Sequence, residues 1–227
     1  MGPRLLPTLR IFMILLAVVN LVILGVRLWP WEQVLSLPGN GTPGIDPAVT
    51  LLGYIGLVFW ITNKPSEPVK RSLSTGAMLG LLGGFLLVVH ILLPTMFAAR
   101  PAYANTILPK LVQVGLLTGT GILWGIAGLR GLRATGSFGI GTLSGVWSAM
   151  VSCLMAAAAV LIEMSLTIPP PMTQDSWMQY EAQFIGPETT QALFVSLNWA
   201  TGFLLVGPLV GAALGFIFAI FGNFKKG

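Results

Sequence analysis

The sequence predicts an all-α, polytopic membrane protein: a bundle of about six transmembrane helices with the N- and C-termini cytoplasmic. Three observations carry that prediction. Of the 227 residues, 55% are hydrophobic and only 8% are charged, and the mean hydropathy is +0.85. A soluble domain carries about 25% charge, so a chain of this composition belongs in a bilayer. The apolar residues also gather into six runs, each near the ~20 residues that a spanning helix needs. Finally, the cations sort by loop in the way that six spans require.

The runs cover 9–28, 47–62, 73–97, 107–129, 138–168 and 193–222, which makes residues 1–227 a single transmembrane domain. The first lies in MGPRLLPTLRIFMILLAVVNLVILGVRLW. Its basic start is shared with signal peptides, but the stretch is of span length and no A-x-A pattern follows. It is read as an uncleaved span. The second run is the shortest, and a re-entrant or thinned span is the alternative there.

With both termini inside, the inner side holds Arg4, Arg10, Lys64, Lys70, Arg71, Arg130, Arg133, Lys225 and Lys226. The outer side holds Arg27, Arg100 and Lys110. Nine cations against three obeys the positive-inside rule, and removing the second span scrambles the agreement. Both long connections fall outside. The first contains Asn40-Gly41-Thr42, a glycosylation acceptor pattern. The second, PPPMTQDSWMQYEAQFIGPETTQ, is acidic. The expected location is a bacterial inner (plasma) membrane.

The net charge of +5 does not point to nucleic acid, because the basic residues are scattered and form no stripe. The single cysteine, Cys153, permits no disulfide within the chain and no cysteine-based metal site.

A shift of 65 residues lays TLLGYIGLVFW over GLLTGTGILWG and TGAMLGLLGG over IGTLSGVWSA. The shift pairs Gly56 with Gly121, Gly76 with Gly141 and Gly80 with Gly145. This suggests a parallel hairpin repeat, 47–97 over 112–162, of a kind found in some transporters. Leu/Gly-rich segments also align easily by composition alone.

Small residues recur every four positions. Gly76, Gly80 and Gly84 form one stripe. Gly141, Gly145, Ala149, Cys153 and Ala157 form a second, and Gly207, Gly211, Gly215 and Ala219 a third. Spacing of four places each set on one helix face. Lipid gives no hydrophobic drive to helix association, so close backbone approach must supply it, and small residues allow that approach. The stripes, a glycine-zipper pattern, therefore predict tight helix packing inside the chain, with a partner's helix as the other use. Pro208 removes a backbone donor inside the sixth run, and a kink is expected there.

Polar residues inside spans are the candidates for function. Glu163 lies six residues before Pro169, about 9 Å below the outer end of its span. His90, the lone histidine, lies eight residues before Ala98, about 12 Å deep by the same rise. Asn198, Lys110 and Gln113 enter from the same outer side, and Asn20 lies near the middle of the first span. The inner halves of the last four spans carry almost no charge. This pattern is consistent with a polar pocket opening outward, with Glu163 paired to His90 or Lys110; the alternative is a Glu163 carboxylate near the interface that reaches headgroups or an outer-loop donor.

Four functions are ranked on these features. A membrane-embedded subunit or assembly/scaffold component of a larger complex comes first, on the small-residue faces and the lack of catalytic motifs. A small-solute or proton-coupled transporter with an outward-facing polar site comes second. Cofactor binding through His90 as an axial ligand comes third, with no cofactor named. An enzyme comes last: one histidine and one cysteine cannot supply zinc's three protein ligands. No G-x-S-x-G, H-E-x-x-H or GxxxxGK[ST] pattern is present. The expected partners are the lipid bilayer and other membrane subunits or further copies of the chain.

Overall fold

The computed structural model describes residues 5–28, 45–63, 65–98, 107–167 and 187–224. The Asn40-Gly41-Thr42 pattern, most of the acidic stretch after the fifth run, and Arg4, Lys64, Arg100, Lys225 and Lys226 lie outside these residues. Among the described residues the fold is all-helical. Six helices follow the six apolar runs: α1 (Leu5–Leu28), α2 (Ile45–Ile61), α3 (Glu67–Ala98), α4 (Ile107–Thr135), α5 (Phe138–Thr167) and α6 (Pro187–Phe224). All but α2 are long and apolar enough to cross a membrane. Helix α2 has 17 residues, about 26 Å at 1.5 Å per residue, against a hydrocarbon core of ~30 Å. The chain is a transmembrane helical bundle.

Several helices outrun the apolar runs because local capping, not lipid, sets their ends. Helix α3 starts at Glu67-Pro68, where proline's missing donor costs nothing. The Ser66 carbonyl accepts from Lys70 N at 2.9 Å. Helix α4 ends at Gly136, whose φ of 71° is the left-handed conformation that glycine adopts freely. Gly136 N donates to Leu132 O at 2.7 Å. Only Gly136 and Ser137 then separate α4 from α5, which forces the two helices into a tight antiparallel hairpin.

Helix α5 is the axis of the molecule. It packs on α1, α3, α4 and α6, and Trp147, Met150, Cys153, Leu154 and Ala157 on it are wholly buried. Helices α3, α4 and α6 surround it, and α4 also packs on both of the others. Helix α1 leans on α5, and α2 packs on α1 and α6. Two buried polar bonds tie this outer pair to the rest of the bundle, one from α1 to α5 and one from α2 to α6. Asn20 Nδ2 donates to Leu154 O at 3.1 Å, and Tyr54 Oη donates to Leu204 O at 2.7 Å. Arg10 also stacks over the Phe59 ring at 4.2 Å, joining α1 to α2.

Glycines mark the closest approaches. A Cβ on Gly145 would collide with the Gly211 carbonyl and the Gly215 backbone. One on Gly128 would strike Gly215, and one on Gly207 would strike Cys153. On the other side of α5, a Cβ on Gly80 would meet Ser148 and Val151, and one on Gly84 would meet Met155. Gly76 faces Ser144, and Gly141 faces the Gly128 carbonyl. Backbone therefore lies against backbone along much of α5. Helix α6 continues through Pro208.

Candidate functional site

The antiparallel packing sets one end of the bundle. There α3 and α5 finish, and α4 and α6 begin. His90 lies near the end of α3, Gln113 near the start of α4, Glu163 near the end of α5 and Ser196 in the early part of α6. All four line a single cavity of about 320 Å³, closed by Ile91, Pro94, Val160, Trp199 and Phe203. Each of the four inner helices thus contributes one polar side chain.

The His90 imidazole is within hydrogen-bonding reach of the Gln113 backbone, which links α3 to α4 at the cavity. Its Nδ1 is buried, with no hydrogen-bond partner among the described residues. An unsatisfied buried polar atom costs about 1–3 kcal/mol, so this nitrogen gains from any donor brought to it. Glu163 is half-buried and, among the described residues, is the one charged side chain in the lining. Trp199 and Phe203 form the aromatic wall, with ring centroids 6.1 Å apart. The lining can accept hydrogen bonds through Glu163, His90 and Ser196, and its one carboxylate and two aromatic rings attract positive charge. His90 and Glu163 are the side chains in it able to ligate a transition metal, and His90 is the one suited to haem iron. Among the described residues no cluster of three or more His, Cys, Asp or Glu is placed to hold a metal.

The other polar candidates lie elsewhere. Lys110, one turn before Gln113, is exposed and outside the lining. Asn198 is exposed on a different face of α6 from Ser196. Asn20 is completely buried far from the cavity and bonds Leu16 O at 2.9 Å as well as Leu154 O. It is a strut between α1 and α5.

Sequence reasoning missed the polar Ser196 and the aromatic wall of Trp199 and Phe203, as well as the apolar Ile91, Pro94 and Val160. It also missed a serine ladder on α5. Ser144, Ser148 and Ser152 recur every four residues and are completely buried. Ser144 Oγ donates to Ser72 O at 3.1 Å, and Ser152 Oγ donates to Gly80 O at 2.8 Å. Trp124 Nε1 donates to Ser152 Oγ at 3.0 Å, which brings α4 into the same network. The spacing that signals this ladder is visible in the sequence, one position away from the glycine stripe.

A second cavity adjoins the first. It is an apolar groove of about 700 Å³ between α4 and α6, floored by Leu87, Trp124 and Gly207. Trp199 and Phe203 belong to both cavities.

Comparison with known proteins gives no match, whether to family models, curated proteins or solved structures. Function is therefore argued from the site alone.

Proposed function

We propose that this protein is a membrane-embedded solute-binding protein of the transporter type, whose site is the cavity lined by His90, Gln113, Glu163 and Ser196. The observation that supports it is the convergence of one polar side chain from each of four helices on one space. Polar groups inside spans are expensive, and they are retained where they meet water, a ligand or one another. The lining favours a small solute that is cationic and donates hydrogen bonds.

This reading takes all six helices as spans with both termini cytoplasmic, on the strength of the nine-to-three cation distribution. The cavity then opens to the outer side. The site serves binding and passage, without covalent chemistry or a resident cofactor. The subunit reading ranks second because the small-residue faces on which it drew meet one another within the chain, as Gly145 meets Gly211 and Gly215.

The test is uptake of a panel of small alkylammonium ions into proteoliposomes. Wild type should show saturable uptake of at least one of them. Glu163→Gln should reduce it roughly tenfold or more, the value of one charge-assisted hydrogen bond. Asn198→Ala should leave it unchanged. Equal uptake by wild type and Glu163→Gln across the panel, with both variants folded, contradicts the proposal.

A further inference from the structure

Building on the cavity reading above, we infer that the ligand is a long-chain amphiphile: an ammonium headgroup seated at Glu163 and His90, and an apolar chain laid along the α4/α6 groove. The two spaces share a wall. Trp199 and Phe203 line both, so a molecule resting against them reaches the polar lining on one side and the groove on the other.

The groove fits a chain by chemistry and by length. Leu117, Ile122, Val206, Val210, Leu214 and Phe218 line it. Along α6 it runs from Trp199 to Phe218, about 28 Å at the helical rise. That is longer than the roughly 15 Å of one leaflet, half the ~30 Å hydrocarbon thickness, so a single chain has room to lie along it. Exposed Leu117, Ile122, Val206 and Val210 open it sideways to lipid, so a chain enters from the bilayer without crossing water. The head is set by charge. Among the described residues Glu163 is the one charged side chain in the polar lining, and none of them offers a lysine or arginine there to receive a phosphate or carboxylate. An ammonium gains the carboxylate, the aromatic wall and a donor for His90 Nδ1. The solute reading alone requires none of this: a short ammonium would use the cavity and leave the groove to lipid.

Gly202 makes the groove separately testable. It lines the groove, and a Cβ built on it meets nothing within 4 Å. Gly202→Leu therefore fills the trough without disturbing the packing behind it.

The experiment places wild type, Glu163→Gln and Gly202→Leu in phosphatidylcholine nanodiscs. The probe is a tetradecylamine carrying a photoactivatable diazirine on its chain, with crosslinks mapped by peptide mass spectrometry. Propylamine and tetradecanoate serve as competitors. The expected result is crosslinking to groove residues of α4 and α6 in wild type. Labelling should fall roughly tenfold in Glu163→Gln, through loss of the charged contact, and by a similar factor in Gly202→Leu, through loss of chain burial. Tetradecanoate should compete poorly.

If propylamine binding depends on Glu163 but the long-chain probe leaves the groove unlabelled, or labels Gly202→Leu as well as wild type, the amphiphile is overturned and the small-solute site stands. Groove labelling indifferent to Glu163→Gln overturns the head assignment. If neither amine responds to Glu163→Gln, both readings fall.

Discussion

Glu163 shows what a sequence reveals about a single residue and what it withholds. Counting from the helix end gives its depth, and the same count places His90, Gln113 and Asn198 at similar depths. Facing is not countable without knowing the neighbours. Ser196 and Asn198 are two residues apart, which is about 200° around a helix. One lines the cavity and the other is exposed. A serine draws less notice than an asparagine in an apolar run, so the member of the pair outside the lining stood out. Asn20 illustrates the opposite case, a polar residue whose partners are backbone carbonyls of its own and a neighbouring helix. Asn20→Leu should therefore lower stability by about 0.6–2 kcal/mol, the range for interhelical polar bonds in membranes, measured by steric-trap unfolding. Ligand binding should not change. A loss of binding with stability intact would instead place Asn20 at a ligand.

At the scale of the element, the six apolar runs made the helices legible, because a spanning stretch is long and its hydrophobicity needs no periodicity to be seen. The ends were less legible. Capping at Ser66 and Gly136 extends α3 and α4 past the apolar boundary, and hydropathy is blind to capping. The order of neighbours was not legible at all. Hydropathy does not distinguish α5 from α3, yet α5, the richer of the two in alanine and serine, is the axis on which four other helices pack. Its glycines and serines face different neighbours on adjacent stripes, Gly145 toward α6 and Ser144 toward α3. Gly145→Val should destabilise the bundle by about 1–3 kcal/mol or more through overpacking against the α6 backbone. Gly53→Ala on α2 meets nothing within 4 Å and should be close to neutral. Equal tolerance of both changes in a thermal unfolding assay would mean that α5 and α6 are not in backbone contact. Ser152→Ala removes the acceptor of Trp124 Nε1 and the bond to Gly80. It should cost about 1 kcal/mol or more, because it leaves a buried indole N–H without a partner.

Across the whole molecule, the packing of α3–α6 leaves one polar cavity at an end and one lateral groove, and the proposed binding site rests on that arrangement. The cation count allows a sided reading: the cavity end lies outside and both termini lie inside. Reporter fusions at residue 1 and residue 227 should report the same cytoplasmic side, and opposite sides would remove α2 from the spans. The 65-residue shift links Gly76 with Gly141 and Gly80 with Gly145. In the fold the first pair of helices, α2 and α3, lean on different neighbours, whereas α4 and α5 form a hairpin on each other.

The most direct test of the account is the accessibility of the cavity itself. Cys153 is completely buried, so a Cys153→Ala background is free of reactive thiol, and Ser196→Cys can be placed in it with Ser148→Cys as the buried control. Sealed vesicles of known orientation are treated with a membrane-impermeant maleimide. The account expects Ser196→Cys to react from the outer face only, to be protected by an ammonium ligand, and Ser148→Cys to stay inert. A Ser196→Cys thiol that is silent from both faces, or that reacts from the face bearing the termini, would contradict an outward-opening site.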